Sequence, residues 1–96
     1  MTNQLANFTF AVSPEASVSI HDNGIVILDA RSGGIYSSNA IGARIWRRIE
    51  QQLSTQAITE EISNEYGLAH SVAHDHLTRF LGQLEQHELI ERESAL

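Results

Sequence analysis

The chain has 96 residues, of which 42% are hydrophobic and none is cysteine; twelve acidic against six basic side chains give a net charge of −6. This length suits one domain over residues 1–96 and leaves no room for an enzyme cleft beside a scaffold, while the lack of cysteine excludes disulfides and thiolate metal sites. The acidic balance repels a phosphate backbone and no run approaches the ~20 apolar residues of a membrane span, so neither nucleic acid nor a membrane is an expected partner.

The opening MTNQLANFTF lacks the basic start and apolar run of a signal peptide, which fits a cytoplasmic location. Residues 1–7 are polar and expected to be flexible, and 8–12 form a first extended segment closed by Ser13-Pro14. The alternating SVSI at 17–20, the Asn-Gly signal at 23–24 and GIVILD at 24–29 predict a β-hairpin. A second turn, RSGG at 31–34, leads to a short third strand at 35–37, which gives an antiparallel meander of three strands. Four successive apolar residues, Ile25 to Leu28, ask for cover on both faces of their strand, and helices can cover only one. Phe8, Phe10 and Val12 folding across the other face, or a weak homodimer, would supply the rest.

From residue 38 the period becomes helical. Ile41, Ile45 and Ile49 share a face with Trp46 beside them, opposite Arg44, Arg47 and Arg48, and Ser38 or Asn39 is the expected N-cap. A second helix runs over 54–66 from its cap Ser54 to the stop at Gly67, with Ile58, Ile62 and Tyr66 spaced by four. The third, over 70–88, carries Val72, Ala73, His76, Leu77, Phe80, Leu81 and Leu84 on one stripe, and Leu89-Ile90 closes the domain. The predicted fold class is α+β, winged helix-turn-helix-like, with a three-stranded antiparallel sheet followed by three helices.

A DNA-reading third helix would present Arg, Lys, Asn or Gln near its start, but its solvent face offers His70, Ser71, His74, Asp75 and Thr78. Glu60, Glu61 and Glu65 on the preceding helix would meet phosphates, so a transcriptional regulator is the disfavoured alternative. The third strand offers something else. As a sheet edge it leaves the main-chain groups of Ile35, Tyr36 and Ser37 free, has no Lys or Pro to blunt it, and is preceded by Gly33 and Gly34, which leave room for another backbone. An extended peptide could add there as a further strand.

The run LDARSGGIYSSNAIGARIW at 28–46, followed by Ser54 and Ile58, EYGL and FLGQLEQHELI, resembles the PqqD family over residues 25–91. The resemblance implies a peptide chaperone that holds the leader of a ribosomally made precursor between strand three and helix three and presents it to a separate modifying enzyme. Pyrroloquinoline quinone and lasso-peptide biosynthesis are the two settings it suggests. The Gly42-Ala43-Arg44-Ile45-Trp46 run and the stand-alone length are more similar to the lasso type, whose partner is a leader peptidase. Ala69 and His70 depart from the family's usual capping Asp and Pro, so helix three is expected to start less rigidly. On the helical wheel Val72, His76 and Gln83 flank the core stripe beside Phe80. The expected peptide site is therefore Gly34, Ile35, Tyr36 and Ser37 with Val72, His76, Phe80 and Gln83, although Val72 and Phe80 equally suit plain core.

Other features point to less. His70 and His74 have zinc-gripping spacing, but His76 turns elsewhere on the wheel and no cysteine assists, so neither metal nor cofactor is expected. Arg44, Arg47 and Arg48 form a solvated face that pairs with local acids or docks an acidic partner enzyme. No nucleophile and base share a sequence context, so no catalysis by this chain is expected.

Overall fold

The Asp22-Asn23 turn joins strand β2 (Ala16–His21) to β3 (Gly24–Asp29) in a hairpin whose register runs from His21 opposite Gly24 to Ala16 opposite Asp29. These are coordinates of a computed structural model, which describes residues 7–93. Neither turn residue has a positive φ, and neither does Gly24, so this glycine is not there for its conformational freedom. A Cβ on Gly24 would lie 2.2 Å from the carbonyl oxygen of Ser38 on the next strand. Gly24 lets β3 pass close to the chain that enters the first helix.

Asp29 organises the second turn. Its carbonyl accepts from Gly33 N–H at 2.8 Å, its N–H donates to Gly34 O at 2.9 Å, and Gly33 adopts φ +75. β4 (Ile35–Asn39) then pairs antiparallel with β3, Leu28 opposite Ile35 and Gly24 opposite Asn39. It is two residues longer than the expected 35–37, because Ser38 and Asn39 continue the ladder before the helical period takes over. Asn39 both ends this strand and caps α1 (Ala40–Glu50), its side chain accepting from Gly42 N–H at 3.0 Å. Strand and helix are thus joined without a loop.

Ala43, Ile45, Trp46 and Ile49 bury one face of α1. Ser54 caps α2 (Thr55–Tyr66), which stops at left-handed Gly67, and Ile58 and Ile62 point into the same core. α3 (His70–Gln86) starts at Ala69 without a side-chain cap and buries Ala73, Leu77, Phe80, Leu81 and Leu84. It ends two residues before the expected 88, where Glu88 takes φ +59 and turns Leu89 and Ile90 inward.

The expected terminal clip is a strand. β5 (Ile90–Glu93) pairs antiparallel with β1 (Thr9–Val12), from Val12 opposite Ile90 to Thr9 opposite Glu93, as a separate two-stranded sheet beside the β2-β3-β4 sheet. This pairing also overturns the cover expected from 8–12. Phe10 is buried in the common core, its carbonyl accepting from Gln52 Nε2 at 2.9 Å, and Thr55 N–H donates to Phe8 O at 2.9 Å. The segment is tied to α1 and α2, and Val26 and Leu28 on the outer face of β3 stay exposed. Of the stretch expected to be flexible, residues 1–6 lie outside the described ones. Asn7 Oδ1 accepts from Gln56 N–H at the start of α2. Among the described residues no helix is long and apolar enough to cross a membrane.

Candidate functional site

β4 lies at one end of the β2-β3-β4 order and its outer side has no strand neighbour among the described residues. The bond from Asp29 N–H to Gly34 O sets the phase of the ladder. In an antiparallel pair the hydrogen-bonded and non-bonded positions alternate. Tyr36 and Ser38, with the Gly34 carbonyl, therefore turn their main-chain groups toward β3, the Gly34 N–H donates to Ser32 Oγ, and the groups of Ile35 and Ser37 point outward. This corrects the expectation that Tyr36 also offers free groups. The exposed edge is narrower than the sequence suggested and is carried by two residues.

Tyr36 contributes its side chain instead. Facing inward between β4 and α3, its ring lies 6.1 Å from that of Phe80 and 5.6 Å from that of His87, and its hydroxyl donates to Gln83 Oε1. Burial pushes its pKa up, with a nearby Ser38 hydroxyl acting in the opposite sense, so the phenol stays a neutral donor. The bridge from Tyr36 to Gln83 divides the groove. On the turn side a cavity of about 380 Å³ is lined by Ile27, Ile35, His87 and Leu89 with Asp29 and Arg31 at its rim. On the α1 side a cavity of about 180 Å³ is lined by Asn39, Ile41, His76, Arg79, Phe80 and Gln83.

Arg31 closes the turn end. Its guanidinium grips Asp29 through Nε at 3.2 Å and reaches across to the end of α3, donating to Glu88 Oε1 at 3.1 Å and to the Glu88 carbonyl at 3.3 Å. The side-chain bonds from Arg31, then its N–H, hold the Asp29 carboxyl below its ordinary pKa. Because the folded value is the lower one, the pair contributes stability above the unfolded pKa and loses it as pH falls through the folded one. In an NMR pH titration of the Asp29 carboxyl, Arg31→Ala is expected to move the midpoint upward toward an ordinary carboxylate. An unmoved midpoint would assign the shift to another group.

The structure brings Gly34, Ile35 and Tyr36 together with His76, Phe80 and Gln83 around this groove, whereas Ser37 lines neither cavity and offers only its outward main chain on the edge. Phe80 serves core and groove at once, being 5% exposed yet against Tyr36. Val72 is 43% exposed one turn before His76 on α3, and lines neither cavity. Arg44 and Arg48 are engaged within the fold: Arg44 pairs with Glu65 at 3.2 Å, and Arg48 with Glu61 at 2.7 Å and Glu65 at 2.8 Å. Arg47 is exposed and makes no ion pair among the described residues. His70 and His74 face a different cavity with Asn7, Gln56 and Thr59, and no three His, Cys, Asp or Glu side chains converge among the described residues. Asp29, Arg31, His87 and Leu89 were missed as groove residues. His87 continues the 76, 80, 83 spacing by one more step, a signal that was legible.

Comparison with known proteins bears on this groove. The profile of the family described as Coenzyme PQQ synthesis protein D (PqqD) matches residues 24–90, from the first residue of β3 to the first of β5. No match was found among the curated protein sequences. Among solved structures, TbiB1 in complex with the TbiA(beta) leader peptide is 28% identical with a TM-score of 0.76, over 83% of this chain and 93% of that one. A lasso peptide synthetase B1 complexed with the leader peptide is 27% identical with a TM-score of 0.77, over 85% of this chain and 96% of that one. With most of its length, both walls of the groove included, under the family profile, the chain belongs to the PqqD family.

Proposed function

We propose that this chain captures the leader of a ribosomally made precursor peptide by β-strand addition to β4 and delivers it to a separate modifying enzyme, a leader peptidase in lasso-peptide biosynthesis. The observation that carries the reading is a strand edge, unpaired among the described residues, beside a divided groove that is mainly apolar on its turn side and more polar on its α1 side. It is supported by two similar solved structures, each in complex with a leader peptide. One of the two is described as a lasso peptide synthetase B1, which favours that setting over quinone-cofactor biosynthesis.

In this reading the leader's main chain pairs with Ile35 and Ser37, flanked by Gly34 and Tyr36, and its inward side chains enter the two cavities against His76, Phe80 and Gln83. The leader is disordered beforehand, so binding orders it and raises its effective concentration beside the enzyme. The chain is a carrier and performs no chemistry itself. A cytoplasmic setting, where precursors are made, goes with this role.

Fluorescence anisotropy tests it, using a labelled synthetic peptide that spans the leader of the small precursor frame expected near this chain's gene, with a labelled random DNA duplex as control. Saturable leader binding without a duplex response is expected. Salt-sensitive duplex binding and none to the leader would favour a winged-helix regulator. Val72→Asp probes how far the site extends along α3. An exposed position tolerates charge, so the thermal midpoint should stay within a few degrees while leader affinity falls about tenfold or more. Unchanged affinity would end the site at His76.

A further inference from the structure

The four successive apolar residues of β3 divide between two faces: Ile25 and Ile27 are fully buried, whereas Val26 and Leu28 remain 39% and 41% exposed. Register sets Ser17, Leu28 and Ile35 side by side in one row, and Ser19, Val26 and Ser37 in the next. All six are exposed on the sheet face turned away from the buried side chains of β3. None is charged, in a chain whose net charge is −6. An apolar centre depleted of charge is the composition that sets the middle of a protein interface apart from ordinary surface.

Ile35 joins this face to the groove. It is 73% exposed, and its outward main-chain groups lie on the edge to which a leader strand would add. A strand added there would extend the sheet by one and set every second leader side chain on the outer face beside Ile35 and Ser37. Resting on the leader-binding reading above, we infer that this outer face docks the precursor-modifying enzyme through an uncharged, apolar contact that includes the bound leader. The full surface exists only when cargo is in place, so the enzyme distinguishes the loaded carrier from the empty one. A second copy of this chain is the poorer occupant. Three partly exposed aliphatic side chains supply on the order of a few hundred Å², and a stable pair needs about 800 Å² from each partner.

Val26→Lys and Leu28→Lys test this, because neither residue lines the groove and their main chains are paired toward β2. Leader affinity is read by anisotropy as above. Enzyme affinity is read by biolayer interferometry of the immobilised protein–leader complex against the purified leader peptidase expected to be encoded near this chain's gene. Leader affinity is expected to stay within about twofold and enzyme affinity to fall about tenfold or more, with the leader-free wild type binding enzyme more weakly than the loaded one. Val26→Thr keeps the β-branched shape and carries the same comparison should a lysine variant fold poorly. Unchanged enzyme affinity overturns the inference while leader binding survives. A wild type that is dimeric by light scattering and becomes monomeric in the lysine variants assigns the face to a second copy and also overturns it. A wild type that fails to bind leader is a separate result, and it overturns the underlying reading together with the inference.

Discussion

Ile35→Pro is expected to weaken leader binding about tenfold or more while moving the thermal midpoint by only a few degrees. Proline lacks the N–H and fixes φ, which in a central strand would break a ladder bond. At position 35 the N–H points away from β3, so the β3–β4 ladder loses nothing. A leader strand loses a donor and meets the ring instead. Tyr36→Pro, one residue on, is the informative contrast: its N–H belongs to the ladder with β3, so stability itself should fall. Anisotropy for binding and circular dichroism for unfolding separate the two effects. Equal losses of binding and stability in Ile35→Pro would remove the strand-addition edge from β4.

Gly24→Ala is expected to destabilise the fold by about 3 kcal/mol, upward of about 10 °C in thermal midpoint. The added Cβ would sit 2.2 Å from Ser38 O and 3.3 Å from Ser38 C, main-chain atoms that no rotamer change can move aside. Relief requires β3 and β4 to separate where β4 enters α1, and both groove walls move with them. Gly82→Ala is the matched control. A Cβ there meets nothing within 4 Å, and alanine in an exposed helix should stabilise by about 0.5–1 kcal/mol. Urea unfolding of both variants checks the pair; a Gly24→Ala protein as stable as wild type would mean that β4 yields locally at no cost.

The Asn-Gly signal placed the hairpin correctly but for an incomplete reason, since the glycine's use is space beside Ser38 rather than turn geometry. Helices were the more legible half. Ile45, Trp46 and Ile49, Ile58 and Ile62, and Leu77, Leu81 and Leu84 follow the 3.6-residue period, and each group is buried. β5 was illegible because IERE holds one apolar residue, and its pairing with β1 spans nearly the whole chain. No local pattern reports such a contact. The groove was half visible: residues 34–37 and the 76, 80, 83 flank follow from patterning. The main-chain phase of β4 depends on register, and Arg31 reaches Glu88 only because the fold brings a turn to the end of a helix.

The loopless passage from β4 into α1 at Asn39 limits how much backbone the edge can offer. Ile35 and Ser37 supply one donor and one acceptor each, at about 0.5–1.5 kcal/mol net per bond. Association alone opposes binding by about 4–15 kcal/mol. An arbitrary unstructured chain that happened to align with this edge would therefore drift away, because the side-chain fit must provide the remainder. A longer edge would retain such strangers and would also hold a processed leader too firmly to be reused. In the leader-binding role proposed above, so short a strand would make the protein selective in a crowd of nascent chains and let it return for the next precursor.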